Sequence, residues 1–231
     1  SYVDGAAMVE AAESTGRKRH IQIANLYQKE VQAAKTIIDG EGLGRLYHAR
    51  SVGYRRRGRP FVDGYATPNF VQKEVAGGGA LFDMGVYHIS EILYLLGAPK
   101  VERISGKVYQ ETPMDEKRRQ ESGYNVEELG LGFVKFEDGI TLDIFEAWAV
   151  HMGKLDGSMV LGSKGGIRLR PFSYHTTQWD LELDVTANLD AMAYRHDRLS
   201  DDPDAYRSSQ HHWIAALQGR TELLPTAHIA L

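Results

Sequence analysis

Cysteine does not occur in these 231 residues. That removes disulfide scaffolds, thiol nucleophiles and every thiolate-ligated metal site from consideration. No apolar run approaches the roughly 20 residues that a membrane-spanning helix needs. Nor is there an excess of positive charge: 27 Lys and Arg stand against 31 Asp and Glu, a formal net charge of −4, whereas non-specific nucleic-acid binders are generally basic. The opening Ser1-Tyr2-Val3-Asp4 does not have the basic-then-apolar order of a secretory leader, so a cytoplasmic setting is expected. The balance that is present, 42% hydrophobic and 25% charged residues, is that of a globular protein long enough to bury a sizeable core.

Asp4 through Gly16 reads as a helix, His20 through Ala24 as a short strand, and Gln28 to Asp39 as a second helix stopped by Gly40-Glu41-Gly42-Leu43-Gly44. Leu46–Tyr54 reads as a strand. Arg55 to Gly78 is basic at its start and rich in Gly, Pro and Asn, which predicts a loop or lid. A helix is expected over Ala80–Leu96, ended by Gly97, and another over Asp204–Leu217, ended by Gly219. Between them lie strand-like segments at 101–109, 129–136, 141–150, 158–161, 166–170 and 179–185, with Glu137-Asp138-Gly139 and Lys164-Gly165-Gly166 as turns. Short turns between successive strands imply antiparallel pairing. The expected fold is α+β, a large open, mainly antiparallel sheet with helices on one face.

Chemistry concentrates in Gly77-Gly78-Gly79-Ala80-Leu81-Phe82-Asp83-Met84-Gly85-Val86-Tyr87-His88-Ile89. Glycines before a helix permit close backbone approach, and a helix start offers N–H groups to polar ligand atoms. Asp83 and Tyr87 are four apart and share one helix face. Leu81, Gly85, His88 and Ile92 fall on another, expected to pack on the sheet. From spacing alone, the commoner meaning of such a pair is a first-turn acid and an interfacial aromatic. His88 alone is more often a hydrogen-bonded core histidine than a catalyst.

The same segment resembles the signature helix of the Gfo/Idh/MocA oxidoreductases, GGGAL-x-D-x-G-x-[HY]. The resemblance extends in order along the chain: Ala34-Lys35 through Arg50, Val126-Glu127-Glu128-Leu129 with Phe136-Glu137-Asp138-Gly139, the turn Leu161–Gly166, and His212–Gly219. It implies an N-terminal Rossmann domain for NAD or NADP and a C-terminal domain for substrate and oligomerisation. By that resemblance residues 1–40 are the tail of a truncated Rossmann domain and 41–231 the substrate and oligomerisation domain. Neither a G-x-G-x-x-G after a strand nor the family's E-K-P is found. A fragment is therefore expected, inactive by itself and unable to reveal NAD or NADP preference.

The resemblance puts the acid/base at Tyr87 first and His88 second, with Asp83 orienting the substrate hydroxyl. An unperturbed tyrosine, with a pKa of about 10, is ionised only about once in a thousand molecules at pH 7, so the absent lysine matters: a nearby ammonium favours phenolate. Asn25 and Tyr27 follow the last Rossmann-like segment, where relatives approach nicotinamide and substrate. Arg55, Arg56, Arg57 and Arg59 form either an anion clamp, with Arg57 the candidate contact, or a solvated basic loop. Trp148 is either a pocket wall or core, and Gly78 and Gly79 are candidate cofactor contacts. His175, His196, His211 and His212 have no metal-site spacing, so no metal is expected. The implied ligand is a sugar, a polyol or a similar compound. A non-catalytic dinucleotide-sensing or assembly member of the family is the alternative. The alternating Leu129, Leu131, Phe133 and Ile140, Leu142, Ile144 leave an apolar sheet face that predicts a homo-oligomer.

Overall fold

Strand β1 (Leu46–Tyr54) is the axis of the molecule. In the computed structural model, which describes residues 2–191, 202 and 205–230, it pairs in parallel with β4 (Thr141–Ala147) on one side and antiparallel with β5 (Met159–Gly162) on the other. The remaining strands are β2 (Val101–Tyr109), β3 (Leu129–Phe136), β6 (Gly165–Arg168), β7 (Ser173–Gln178) and β8 (Leu181–Val185). They complete an eight-stranded sheet in the order β2-β3-β4-β1-β5-β6-β7-β8, antiparallel at every junction except β1 with β4.

Helices α1 (Tyr2–Ser14), α2 (Lys29–Asp39), α3 (Lys73–Ala76), α4 (Ala80–Asp83), α5 (Gly85–Leu96), α6 (Glu116–Ser122), α7 (Ser209–Leu217) and α8 (Thr226–Ile229) accompany it. The main core lies where α2 and α5 cover one face of the sheet. Val31 and Ala34 from α2 and Ile92 and Leu95 from α5 meet Ala49, Val134, Leu142, Val160 and Ile167. α5 ends on Gly97, whose left-handed φ of 79° lets its N–H reach back to the carbonyls of Leu93 and Tyr94.

Several expected elements change. Residues 20–24 form no strand: with no neighbouring strand to pair with, Ile23 and Leu26 instead pack against Ile229. The expected single helix 80–96 is two, α4 and α5, joined at Met84. The expected lid carries a 3₁₀ turn at Pro68–Val71 and the short α3. Strand 141–150 stops at Ala147, and the late helix begins at Ser209; Asp204 lies outside the described residues. β7 and α6 are additions.

The two apolar runs that leave an apolar sheet face to cover sit on opposite faces. Leu142 pairs with Val134 beneath the helices, whereas Leu131 pairs with Phe145 on the far side. The far face therefore carries Leu129, Leu131, Phe133 and Phe145.

The stretch before Gln28 divides. α1 buries no side chain. After it, the Lys18 ammonium donates to the Ala216 carbonyl, His20 Nε2 pairs with Ser209 Oγ at 2.6 Å, and Ile21 N–H donates to Thr226 Oγ1 at 3.1 Å.

His212 closes this corner. It is fully buried, its Nδ1–H donates to the Ala205 carbonyl at 2.9 Å, and its Nε2 accepts the Leu224 N–H at 3.0 Å. Protonation would destroy that acceptor, and burial pushes the imidazole below its ordinary value, as it does for His20. The unfolded chain thus binds protons that the folded chain resists. These two groups contribute stability that is complete above about pH 6.5 and declines as the pH falls toward their depressed folded values. Melting followed by circular dichroism should show Tm falling from pH 7.5 to 5.5, and His212→Gln should reduce that fall. An unchanged pH dependence in the variant contradicts the assignment.

Candidate active site

The glycine-rich segment is shaped by Glu127, just before β3. Its Oε1 accepts N–H bonds from Gly79 at 2.8 Å and Leu81 at 3.1 Å, and its carbonyl accepts the Ala80 N–H at 3.2 Å. A Cβ on Gly79 would stand 1.9 Å from that carbonyl oxygen, so glycine is required by the backbone crossing itself. The amides expected to be open at this helix start are thus occupied by Glu127 at Gly79, Ala80 and Leu81. A Cβ on Gly78 would meet the flexible Phe82 ring instead.

Asp83 closes α4. Its Oδ2 accepts the indole N–H of Trp148 at 2.9 Å, and Trp148 is wholly buried. The indole therefore stands behind the carboxylate and fixes it. Asp83 also lines a cavity of about 380 Å³ whose walls include Phe70, Val75 and Phe82. Its position gives one carboxylate oxygen to the protein and leaves the other without a partner among the described residues. Tyr87, one turn further on, is 43% exposed, and no described side chain bonds its hydroxyl. Tyr87 is not among that cavity's lining residues.

His88 turns the other way, toward the sheet. Its Nδ1 meets Glu146 Oε2 at 2.9 Å, and Glu146 Oε1 accepts the Ser51 hydroxyl at 3.1 Å. Burial by itself would lower the His88 pKa, but the hydrogen bond and charge of Glu146 outweigh it and hold the imidazole above its usual value. Burial raises the Glu146 carboxyl in spite of His88. One turn along α5, buried Glu91 takes both guanidinium nitrogens of Arg170, each at 2.8 Å, and the Asn25 amide at 3.1 Å. Asn25 is thereby tied to α5. Tyr27 lies against the His212 ring, and its buried hydroxyl has no described partner. Burial pushes that phenol well above the ordinary range.

The basic loop splits into two kinds of arginine. Arg57 is 70% exposed and pairs with Asp63 at 3.0 Å. Arg59 is buried, bonding Asp63 at 2.9 Å, Glu128 at 3.0 Å, and the carbonyls of Thr112 and Pro113. Among the described residues no three His, Cys, Asp or Glu side chains cluster as a metal site, and no helix is long and apolar enough to cross a membrane; His196 lies outside the described residues.

Sequence reasoning missed Glu127, Glu146, Glu91 and Arg170. Two of them carried a signal. Glu146 continues the core-facing alternation of Leu142 and Ile144, and Glu91 lies in the α5 stripe with His88, Ile92 and Leu95; an acid in either place must be paired.

This architecture and motif match a known family. The GFO/IDH/MocA C-terminal domain family matches residues 31–168, well over half of the chain, and the chain belongs to it. A putative UDP-kanosamine synthase oxidoreductase subunit of Amycolatopsis mediterranei is 28% identical over 173 residues, 71% of this chain and 46% of that protein. The D-glucoside 3-dehydrogenase of Escherichia coli is 23% identical over 227 residues, 95% of this chain and 60% of that enzyme. The chain thus spans about half the length of these curated relatives. A levoglucosan dehydrogenase solved with NADH and L-sorbose has the same fold, with a TM-score of 0.72 and 17% identity over 98% of this chain and 65% of that one.

Proposed function

We propose that this chain is the substrate-binding and oligomerisation part of an NAD(P)-dependent oxidoreductase that moves hydride between nicotinamide and a CH–OH carbon of a sugar, polyol or related compound. The reading assigns residues 1–40 to the end of a nucleotide-binding domain, 41–231 to the substrate domain, and the protein to the cytoplasm. The observation that carries it is Asp83. On the family's motif helix, a carboxylate fixed from behind by Trp148 presents its other oxygen beside a cavity, one turn from an exposed phenol.

The residues present suit the reacting end of such a cofactor and not its diphosphate. Gly78, where only the flexible Phe82 ring stands in the way, permits a close backbone approach, whereas Gly79 has its amide bonded to Glu127 and its open side filled by the Glu127 carbonyl. A bound nicotinamide supplies the hydride acceptor or donor. In this chain Asp83 orients the substrate hydroxyl, and Tyr87 takes or returns its proton. Asn25, Tyr27 and Arg57 border the substrate, and Trp148 acts through Asp83. A second copy covers the sheet face bearing Leu129, Leu131 and Phe133.

Two preparations test this reading. The purified 231-residue chain should sediment as a dimer or larger and show no NAD(P)H turnover. The same chain joined to a nucleotide-binding half should turn over sugars or polyols with NAD or NADP. Turnover by the chain alone refutes the division of labour, and no turnover by the joined enzyme refutes the oxidoreductase reading.

A further inference from the structure

Glu146 occupies a place where the alternation of β4 calls for hydrocarbon. It is wholly buried, as is Ser51, which donates to its Oε1. An unpaired carboxylate there would cost several kcal/mol, and the surrounding structure is cut to supply a partner. A Cβ on Gly53 would lie 2.1 Å from His88 Nδ1 and 2.4 Å from Glu146 Oε2, and one on Gly85 would lie 3.4 Å from Glu146 Cγ. Both strand and helix are stripped of side chain where the pair meets.

The pair is closed at one end only. His88 Nδ1 is bonded to Glu146, while Nε2 has no partner among the described residues and the side chain is 23% exposed. The open nitrogen is reachable by solvent rather than buried without a partner. The pair holds the imidazole in a single orientation with its second nitrogen open, immediately after Tyr87.

We propose that Glu146 is a positioning residue that makes His88 a second proton-handling group beside Tyr87, a step that rests on the oxidoreductase reading. On oxidation of a carbinol the hydroxyl proton would pass to Tyr87, while a nicotinamide bound in the complete enzyme would take up the hydride. The phenol proton passes on through solvent to the open His88 Nε2, and Glu146 stays a carboxylate throughout; reduction runs the sequence backwards. The charged groups facing the imidazole are Glu146 on β4, Glu91 on its own helix, and Arg170 after β6. Glu91 favours its charged form and Arg170 opposes it. Glu91 and Arg170 are themselves joined as an ion pair, so Glu146 controls the balance.

Nitrogen-detected NMR of the 231-residue chain should show His88 keeping its proton to higher pH than a free imidazole. Glu146→Gln should move that titration to lower pH, whereas Ser51→Ala, which keeps the carboxylate, should not. In the joined, complete enzyme, Glu146→Gln should lower kcat about 10- to 100-fold, with KM changed less than about twofold. The pH profile of kcat should move with the His88 titration. An identical His88 titration in wild type and Glu146→Gln overturns the proposal. So does a wild-type enzyme that turns over sugars while Glu146→Gln leaves its pH profile in place. Failure of the oxidoreductase reading looks different: the complete wild-type enzyme then has no turnover.

Discussion

Replacing Arg59 with methionine is expected to remove about 3–5 kcal/mol of unfolding free energy. The arginine is buried between two buried carboxylates, Asp63 and Glu128, and two main-chain carbonyls. Methionine fills a similar volume but leaves both acids without a cation. Glu128 keeps the N–H groups of Glu111 and Thr112, and Asp63 keeps Arg57 and the main-chain N–H of residue 59, so the loss stops short of unfolding the loop completely.

Arg59→Met also carries a pH signature. Burial tends to raise the Asp63 pKa, but the bonds from Arg59 and Arg57 lower it further, to a net value below the ordinary 3.8. Asp63 therefore contributes stability that is present above about pH 3.8 and lost as the pH falls through its depressed folded value. In the variant that acid-side slope should flatten. Urea unfolding of both proteins between pH 3 and 7 measures both effects. A loss below about 1 kcal/mol would place Arg59 among ordinary surface pairs.

The largest effect on turnover is expected at Tyr87. In the complete enzyme, Tyr87→Phe should lower kcat by about 10²- to 10⁴-fold, the span of a lost general acid or base. Stability should change by no more than about 0.5 kcal/mol, because the residue is exposed and no described side chain bonds its hydroxyl. The combination distinguishes a chemical role from a structural one. A variant with wild-type kcat removes Tyr87 from the mechanism, and a variant with a lowered Tm shows that the phenol supports the fold.

The parts of the fold legible in the sequence are those where hydrophobic alternation and a punctuating glycine agree. Leu46–Tyr54, Leu129–Phe136 and the α2 stop at Gly40 have both. β7, Ser-Tyr-His-Thr-Thr-Gln, has no apolar alternation, and α6, Glu-Lys-Arg-Arg-Gln-Glu-Ser, has no apolar face; each is held by neighbours the sequence does not reveal. Ile21 and Ile23 imitate a strand, yet a strand is defined by its partner. At the candidate site, the motif located Asp83, Tyr87 and His88. Spacing also placed His88 on the sheet-facing side of the helix. It did not identify Glu127 as the acceptor for the glycine amides or Trp148 as the support behind Asp83, because both contacts join residues dozens of positions apart in the chain.

The lone parallel junction has a consequence for how the molecule assembles. Between His48 and Thr141, which lie side by side, the chain travels through the whole motif region and two other strands. Closing a loop of that length carries a large entropic cost before any contact rewards it. The β5–β8 meander forms from neighbours in sequence, but the seam beneath His88 is sealed only after β4 has been made on the ribosome. Until then Ser51 and Gly53 have no Glu146 to meet, so the corner around His88 cannot form until more than half of the chain has been made.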